Sequence, residues 1–283
     1  MKAKPWHLHE ISRNVHQLTM MMAGPAWQQD VLLLSDLHWD NPKCDRKLLA
    51  RHLDQAVERN APIIILGDVL CCMQGKADGR HTKGDVRPEH QVDSYFDSIV
   101  ETAADWFAPY RHHLAVLGQG NHESAIVKRQ ETNLLDRIAM LLRHRGGITR
   151  ATGYGFFVKF KADGNFNASQ VLYAHHGYGG GGITQQASAW PKYMTQVRAD
   201  IYAAGHIHSK EVKPLKIARL NHRGKVEQNT IHVIRCGTYK DEWIDGHGGW
   251  HVEKGQGPRP LGGYWLRFSR QDRRLCREVL EAN

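Results

Sequence analysis

Short apolar runs alternate with amphipathic segments through the first half of the chain. The apolar runs predict buried strands over residues 30–34, 62–66 and 113–117. Apolar residues at helical spacing predict helices over residues 45–60, 90–107 and 133–145. Nearly continuous apolar strands that alternate with helices are typical of parallel strands covered by helices. The pattern therefore predicts an α/β domain.

Beyond Gly146 and Gly147 the pattern changes to short strands and turns. Strands are predicted over residues 154–160, 170–174, 201–204 and 264–268, and a hairpin over residues 211–220 and 226–236. At the other end of the chain, Pro5, Gly24 and Pro25 interrupt any regular pattern, so residues 1–29 are expected to form a loosely structured arm. Residues 30–283 are expected to form a single domain.

Polar residues with metal-binding side chains follow five of these apolar segments. The motifs are Asp36-Leu37-His38, Gly67-Asp68, Gly120-Asn121-His122, His175-His176-Gly177 and Gly205-His206-Ile207-His208. The carboxyl ends of strands in open α/β sheets line one edge, where ligands bind. Two carboxylates, an amide and four or five imidazoles would meet there, which is more than one tetrahedral zinc ion takes. Such a set suits two cations that share a carboxylate, and mixed ligation of this kind favours Mn²⁺, Fe or Zn over Ca²⁺.

The ordered series Asp-x-His, Gly-Asp, Gly-Asn-His-Glu, His-Gly and Gly-His-x-His resembles the calcineurin-like metallophosphoesterase superfamily over about residues 30–240. Residues 73–76 and 237–241 are similar to phage and bacterial phosphoesterases of unassigned substrate. The resemblance implies an α/β fold in which two mixed β-sheets pack as a sandwich flanked by helices. It also implies a dinuclear metal centre with a metal-bridging hydroxide as nucleophile.

The resemblance also implies a role for each matching residue. The first metal would be held by Asp36, His38 and His208, the second by Asn121, His176 and His206, and Asp68 would bridge the two. His175 stays an alternative to His176. His122 would act as a catalytic residue, donating to a phosphate oxygen and to the leaving alkoxide. Asn121 and His122 would also contact the substrate.

Two parts of the segment after Asp68 leave alternatives open. Many family members continue Gly-Asp-x-x-Asp or Gly-Asp-x-x-Asn, whereas this chain has Cys71, which puts the support of that loop in doubt. Cys71 and Cys72 are expected to be buried small hydrophobic residues. Lys76 and Arg80 are expected to grip a polyphosphate backbone, with a solvated basic loop as the alternative.

The composition of the chain indicates which binding partners and which cellular compartment to expect. The chain of 283 residues carries a formal charge of +9, which favours polyanions such as DNA or RNA. Five cysteines without a repeating pattern favour a reducing compartment, and no apolar run is long enough to span a bilayer. The expectation is a cytoplasmic hydrolase of phosphodiesters. A phosphomonoesterase is the alternative, and a non-catalytic scaffold is disfavoured because His122 is present.

Overall fold

Two mixed β-sheets face each other in the computed structural model of the chain. The structure describes residues 4–72, 83–164, 168–179, 194, 196–243, 246, 250–253, 255, 257–272 and 274–283. The strands are β1 (Trp6–Ser12), β2 (Val15–Met21), β3 (Gln28–Leu34), β4 (Ile63–Ile65), β5 (Leu114–Leu117), β6 (Arg150–Ala151), β7 (Gly155–Asp163), β8 (Ala168–His175), β9 (Ile201–Ala204), β10 (Glu211–Leu220), β11 (Val226–Arg235), β12 (Tyr264–Gln271) and β13 (Arg274–Glu281). The helices are α1 (Arg46–Glu58), α2 (Tyr95–Phe107), α3 (Asn121–Gln130), α4 (Leu134–His144) and the short α5 (Trp250–Glu253), with single 3₁₀ turns at Lys83–Asp85, Pro88–His90 and Ala108–Tyr110.

The order of strands shows how the sheets are built. One sheet runs β1-β2-β7-β8-β9-β11-β10 and the other β13-β12-β3-β4-β5-β6. In the second sheet β3, β4, β5 and β6 are parallel, because α1 and later helices return the chain between them. In the first sheet β8 pairs with β9 in parallel, while β7 and β8 form an antiparallel pair. In the second sheet β12 is antiparallel to β3, so both sheets are mixed.

Two large apolar cores hold the layers together. Between the sheets, Leu18 and Phe156 from one sheet pack with Val31 and Leu33 from the other. Alternate residues of the same strands point the other way, so Leu32 packs against the helices on the outer face. The predicted sandwich of two mixed β-sheets flanked by helices is confirmed. No helix in the described ranges combines the length and the apolar character needed to cross a bilayer.

The prediction of a loose arm over residues 1–29 is wrong. β1 and β2 form an antiparallel hairpin, and β2 pairs in parallel with β7 as part of the larger sheet. The reason lies in the alternation of β2, where His16, Leu18 and Met20 are buried and the residues between them are partly exposed. A buried histidine in that series hides the period of two that marks a half-buried strand.

Candidate metal centre

The predicted ligands lie at the carboxyl ends of strands in both sheets. Asp36 and His38 follow β3, Asp68 follows β4, Asn121 and His122 follow β5, His176 follows β8, and His206 and His208 follow β9. The strands β3, β4 and β5 are parallel neighbours, and so are β8 and β9. Parallel neighbours end at the same edge of a sheet, so the topology brings together residues that are up to 172 positions apart in the sequence.

The first group of donors consists of Asp36, His38 and His208. Their ligand atoms all lie within 4.8 Å of one another. The two imidazole Nε2 atoms of His38 and His208 are 3.2 Å apart, and His208 Nε2 is 3.4 Å from Asp36 Oδ1. Asp36 and His38 are buried. This group matches the set that the resemblance implied for the first metal.

The second group consists of Asp68, His176 and His206, whose ligand atoms also lie within 4.8 Å of one another. His176 Nε2 is 3.1 Å from Asp68 Oδ2. Asn121 adds its amide oxygen, which lies 3.1 Å from His176 Nε2 and 2.8 Å from His206 Nδ1. The structure therefore brings together the four residues expected around the second metal, counting the bridging carboxylate.

The two groups are adjacent, and Asp68 lies between them. Its Oδ2 is 4.0 Å from His38 Nε2 in the first group and 3.1 Å from His176 Nε2 in the second. His176 Nε2 is also 3.9 Å from Asp36 Oδ1. The Asp68 carboxylate therefore lies within reach of both groups of donors.

The donor set fits divalent cations better than it fits a network of hydrogen bonds. His38 Nε2 and His208 Nε2 face each other, and two neutral imidazoles can share only one proton between such nitrogens. Asp36 and Asp68 are 0% and 2% exposed, and buried carboxylates need paired charges or metal ions. Carboxylate, amide and imidazole ligands together suit Mn²⁺, Fe or Zn.

Electrostatics shows how the histidines and carboxylates are balanced without a cation. Burial alone would raise the pKa of Asp68, but His176 and His122 hold that pKa well below its usual range. Burial alone would lower the pKa of His176, but Asp68 and Asp36 raise it to about 9. Burial, with His122 beside it, lowers the pKa of His38 well below its usual value. A divalent cation would replace the proton of His176 as the partner of these carboxylates.

Strand-end turns hold several of these residues in an unusual backbone conformation. The φ angles are +52° at Asp36, +45° at His38, +48° at Asp68, +74° at His206 and +54° at His208. Positive φ is uncommon outside glycine, and such residues cluster at functional sites. Hydrogen bonds fix the turns: Asp36 N donates to Gly67 O, and His206 N donates to Asp36 Oδ2 at 2.9 Å. The backbone thus fixes the ligands before any cation binds.

Asn121 and His122 begin a helix, whereas the sequence predicted a turn there. Gly120 is the residue before α3, and the Glu123 side chain accepts a hydrogen bond from Gly120 N at the helix start. A glycine gives a weaker start signal than Ser, Thr or Asp, so the sequence pattern did not reveal the helix. His122 N donates to Asp68 Oδ1 at 3.1 Å, and His122 Nδ1 lies 2.5 Å from the carbonyl oxygen of Cys71.

Glu123 is a site residue that sequence reasoning did not identify. It is 1% exposed, and its two carboxylate oxygens accept hydrogen bonds from Leu70 N at 2.9 Å and Gly120 N at 2.8 Å. Burial and the nearby charge of Asp68 raise the pKa of Glu123 to about 8. The sequence offered one signal for Glu123, which is its position as the fourth residue of the motif Gly-Asn-His-Glu. Glu123 ties the loop of Asp68 to the helix of Asn121.

Asp40 supports the loop that follows Asp68. That support was in doubt because Cys71 stands where many family members have Asp or Asn. Asp40 Oδ1 accepts from Cys71 N at 2.5 Å, and Oδ2 accepts from Cys72 N at 2.9 Å. Asp40 is buried, and the hydroxyl of Tyr95 is 3.5 Å from its Oδ2. A carboxylate after β3 therefore holds the loop after β4. Only the fold reveals this contact, because no motif links Asp40 to the loop.

Some predicted residues lie elsewhere. His175 accepts a hydrogen bond from Gly177 N at 3.0 Å and packs against Tyr154, so His176 is the member of the pair that faces the donor groups. Lys76 and Arg80, predicted to bind substrate, lie outside the described residues.

Comparisons with known proteins find distant structural likeness. No protein-family model and no curated protein matches the sequence. A metallophosphoesterase from Sphaerobacter thermophilus has 10% identity and a TM-score of 0.35, with 90% of this chain and 89% of that chain covered. A predicted phosphoesterase from Streptococcus pneumoniae has 13% identity and a TM-score of 0.34, with 90% of each chain covered. Vps29 complexed with zinc from Entamoeba histolytica has 13% identity and a TM-score of 0.39, with 90% and 100% covered.

Proposed function

We propose that the chain is a metal-dependent phosphoester hydrolase with a dinuclear metal centre. One observation carries the proposal: two adjacent groups, each with two buried donors and one partly buried donor, with Asp68 Oδ2 between them. The groups are Asp36, His38 and His208, and Asp68, His176 and His206. Asp36, His38 and His208 would hold one divalent cation, and Asn121, His176 and His206 the other, with Asp68 shared. Mn²⁺ is the proposed metal, and Fe or Zn would fit the same ligands.

When bound, such a pair of cations polarises a phosphoryl oxygen and lowers the pKa of a water molecule. The chain itself supplies the remaining steps. Asp68 orients His122 by accepting its backbone N–H. His122 Nδ1 is engaged by the carbonyl of Cys71, so its Nε2 is the nitrogen left to give a proton to the leaving alkoxide. Asn121 and His122 together would position the substrate.

The reaction is tested with two ester substrates. The full chain, stripped of metal and supplied with Mn²⁺, is expected to hydrolyse bis-p-nitrophenyl phosphate faster than p-nitrophenyl phosphate. Asp68→Asn is the informative variant, because it keeps the shape of the side chain and removes the shared charge. Hydrolysis of the monoester alone would favour a phosphomonoesterase. The proposal of a hydrolase fails if neither ester is turned over with Mn²⁺, Fe²⁺ or Zn²⁺.

We propose DNA or RNA as the diester substrate because the chain is strongly basic, with 38 Lys and Arg against 29 Asp and Glu. Proteins that neutralise phosphates release counterions, so their affinity falls steeply as salt rises. Binding of a short single-stranded oligonucleotide, measured with EDTA present so that nothing is cleaved, is expected to weaken steeply between low and physiological salt. Absence of binding at low ionic strength would remove nucleic acid as the substrate.

We also propose a reducing compartment such as the cytoplasm. All five cysteines are free, and Cys44, Cys71, Cys72 and Cys236 are buried. Disulfides form in oxidising compartments and are rare in the cytosol. Fractionation of cells that express the tagged full chain tests this. Recovery from a secreted fraction would contradict it.

A further inference from the structure

Cys71 occupies a fixed position inside the metal centre. It follows Asp68 by three residues and is 2% exposed. Its backbone N–H donates to Asp40 Oδ1, and its carbonyl oxygen accepts from His122 Nδ1, both at 2.5 Å. The peptide units on both sides of Cys71 are thereby held, so the position of its sulfur is set by the site.

The sulfur of Cys71 lies beside two histidines. Cys71 Sγ and one ring nitrogen each from His38 and His122 all lie within 4.8 Å of one another. Ligand atoms bound tetrahedrally to one zinc ion at about 2.0–2.3 Å lie about 3.3–3.8 Å from one another. An approach of up to about 1.5 Å would therefore let Cys71 Sγ share a cation with the neighbouring imidazole of His38.

The neighbours of the sulfur act in opposite directions: Lys240 and Asn41 favour its negatively charged form, and Asp40 and Asp68 disfavour it. Asn41 Nδ2 donates to Cys71 Sγ at 3.4 Å. Burial raises the pKa of the Cys71 thiol to about 12, while the nearby ammonium group of Lys240, itself 5% exposed, acts to lower it. A coordinated cation deprotonates a thiol ligand.

The adjacent Cys72 provides a contrast within the same chain. Both cysteines are 2% exposed. Cys72 belongs to the apolar core between the helices and the smaller sheet, together with Leu70 and Val69. Cys71 belongs to none of the apolar clusters formed by the described residues. The expectation that both are buried small hydrophobic residues therefore describes Cys72 and misses the polar surroundings of Cys71.

We propose that Cys71 Sγ is a sulfur ligand of the cation bound next to His38, so that the centre takes thiophilic ions such as Zn²⁺, Co²⁺ or Cd²⁺ as a thiolate complex. Binding breaks the S–H bond, forms a metal–sulfur bond with the electron pair left on sulfur, and releases the proton to water. The inference rests on the proposed metal centre but does not require hydrolysis.

The test is a titration of the metal-free full chain with Co²⁺ and with Cd²⁺, followed by ultraviolet absorption. A thiolate ligand gives a charge-transfer band that oxygen and nitrogen ligands do not give. The unsubstituted chain and Cys72→Ser are expected to show the band, and Cys71→Ser is expected to lose it. The Kd for Cd²⁺ of Cys71→Ser is expected to rise at least ~10-fold. A band that persists in Cys71→Ser, or that is absent from the unsubstituted chain, overturns the proposal.

Two further measurements keep the outcome interpretable. If Cys71→Ser does not fold, X-ray absorption at the zinc edge of the Cys72→Ser variant replaces it: a sulfur neighbour at about 2.3 Å supports the ligand, and oxygen and nitrogen neighbours alone overturn it. Hydrolysis with Mn²⁺ separates the two proposals. Turnover without a thiolate band refutes the role of Cys71 and leaves the proposed function intact. A thiolate band without turnover of either ester supports Cys71 as a ligand and refutes the proposed hydrolase.

Discussion

Replacing Glu123 tests whether the chain builds the metal centre before a cation binds. Its carboxylate accepts from Leu70 N and Gly120 N, both buried, at 2.9 and 2.8 Å. Glu123→Ala leaves both N–H groups without an acceptor, and each buried unsatisfied group costs about 1–3 kcal/mol. The free energy of unfolding is therefore expected to fall by about 2–6 kcal/mol. Glu123→Gln keeps one acceptor and is expected to lose about half as much.

The assay is urea unfolding of the full chain in EDTA, followed by circular dichroism. Glu101→Gln is the matched control, because Glu101 lies on the exposed face of α2, and it is expected to change the unfolding free energy by less than about 0.5 kcal/mol. Mn²⁺ affinity should fall with stability, since the loops of Asp68 and Asn121 are no longer joined. Equal stability of Glu123→Ala and the Glu101→Gln control would refute the bracing role.

The pH dependence of stability offers an independent view of Glu123. Burial raises its pKa from the ordinary 4.5 to about 8, so between these values the folded chain binds a proton that the unfolded chain has lost. The contribution of Glu123 to stability in EDTA, read as the difference between the unsubstituted chain and Glu123→Gln, is therefore expected to fall as pH rises from 4.5 through 8. His176, whose pKa is raised to about 9, acts in the same direction above pH 6.5. The difference in unfolding free energy between the unsubstituted chain and Glu123→Gln should therefore change between pH 4.5 and 8. A difference that does not depend on pH would contradict the raised pKa of Glu123.

Three further predictions concern the metal centre and its chemistry. His122→Ala is expected to lower turnover of bis-p-nitrophenyl phosphate by about 10²–10⁴-fold while the Kd for Mn²⁺ stays close to that of the unsubstituted chain; unchanged turnover would remove the proton-donor role. Gly120→Ala is expected to weaken Mn²⁺ binding in calorimetric titration, because the added Cβ would overlap Asp68 Oδ1, whereas Gly84→Ala points into open space and serves as the control; equal affinities would contradict the packing. Mn²⁺ at a hundredfold excess over its Kd is expected to stabilise the chain by about 2.7 kcal/mol for each bound ion, and Asp68→Asn is expected to lose most of that gain in thermal unfolding; the same gain in both would place the ions elsewhere.

The sequence predicted most of the strands and helices because their apolar residues keep a regular period. β9 and the hairpin of β10 and β11 lie where the pattern placed them, to within one residue. Where a polar residue interrupts the period the prediction failed, as in β2 with its buried His16. The strand β13 was also missed, because its alternation includes Arg277 and Glu278 beside only partly buried apolar residues.

The ligands were predictable because strand ends follow directly from strands. Their supports were not, because they depend on which loops meet in space. Asp40 reaches Cys71 and Cys72 across 31 and 32 residues, and Glu123 reaches Leu70 across 53. The contact of Asp40 leaves no local pattern, and the place of Glu123 in Gly-Asn-His-Glu does not reveal which loop it contacts. The surroundings of Cys71 were also not predictable. The neighbouring residues in the sequence suggest a core position, whereas the fold places Cys71 beside His38 and His122.

The account depends on two cations lying between strand ends of both sheets. The most direct measurement is a crystal structure of the Mn²⁺-bound chain with an anomalous difference map at the manganese edge. Two peaks are predicted, one among Asp36, His38 and His208 and one among Asn121, His176 and His206, with Asp68 bound to both. A map with no peak within coordination distance of Asp68 would contradict the account.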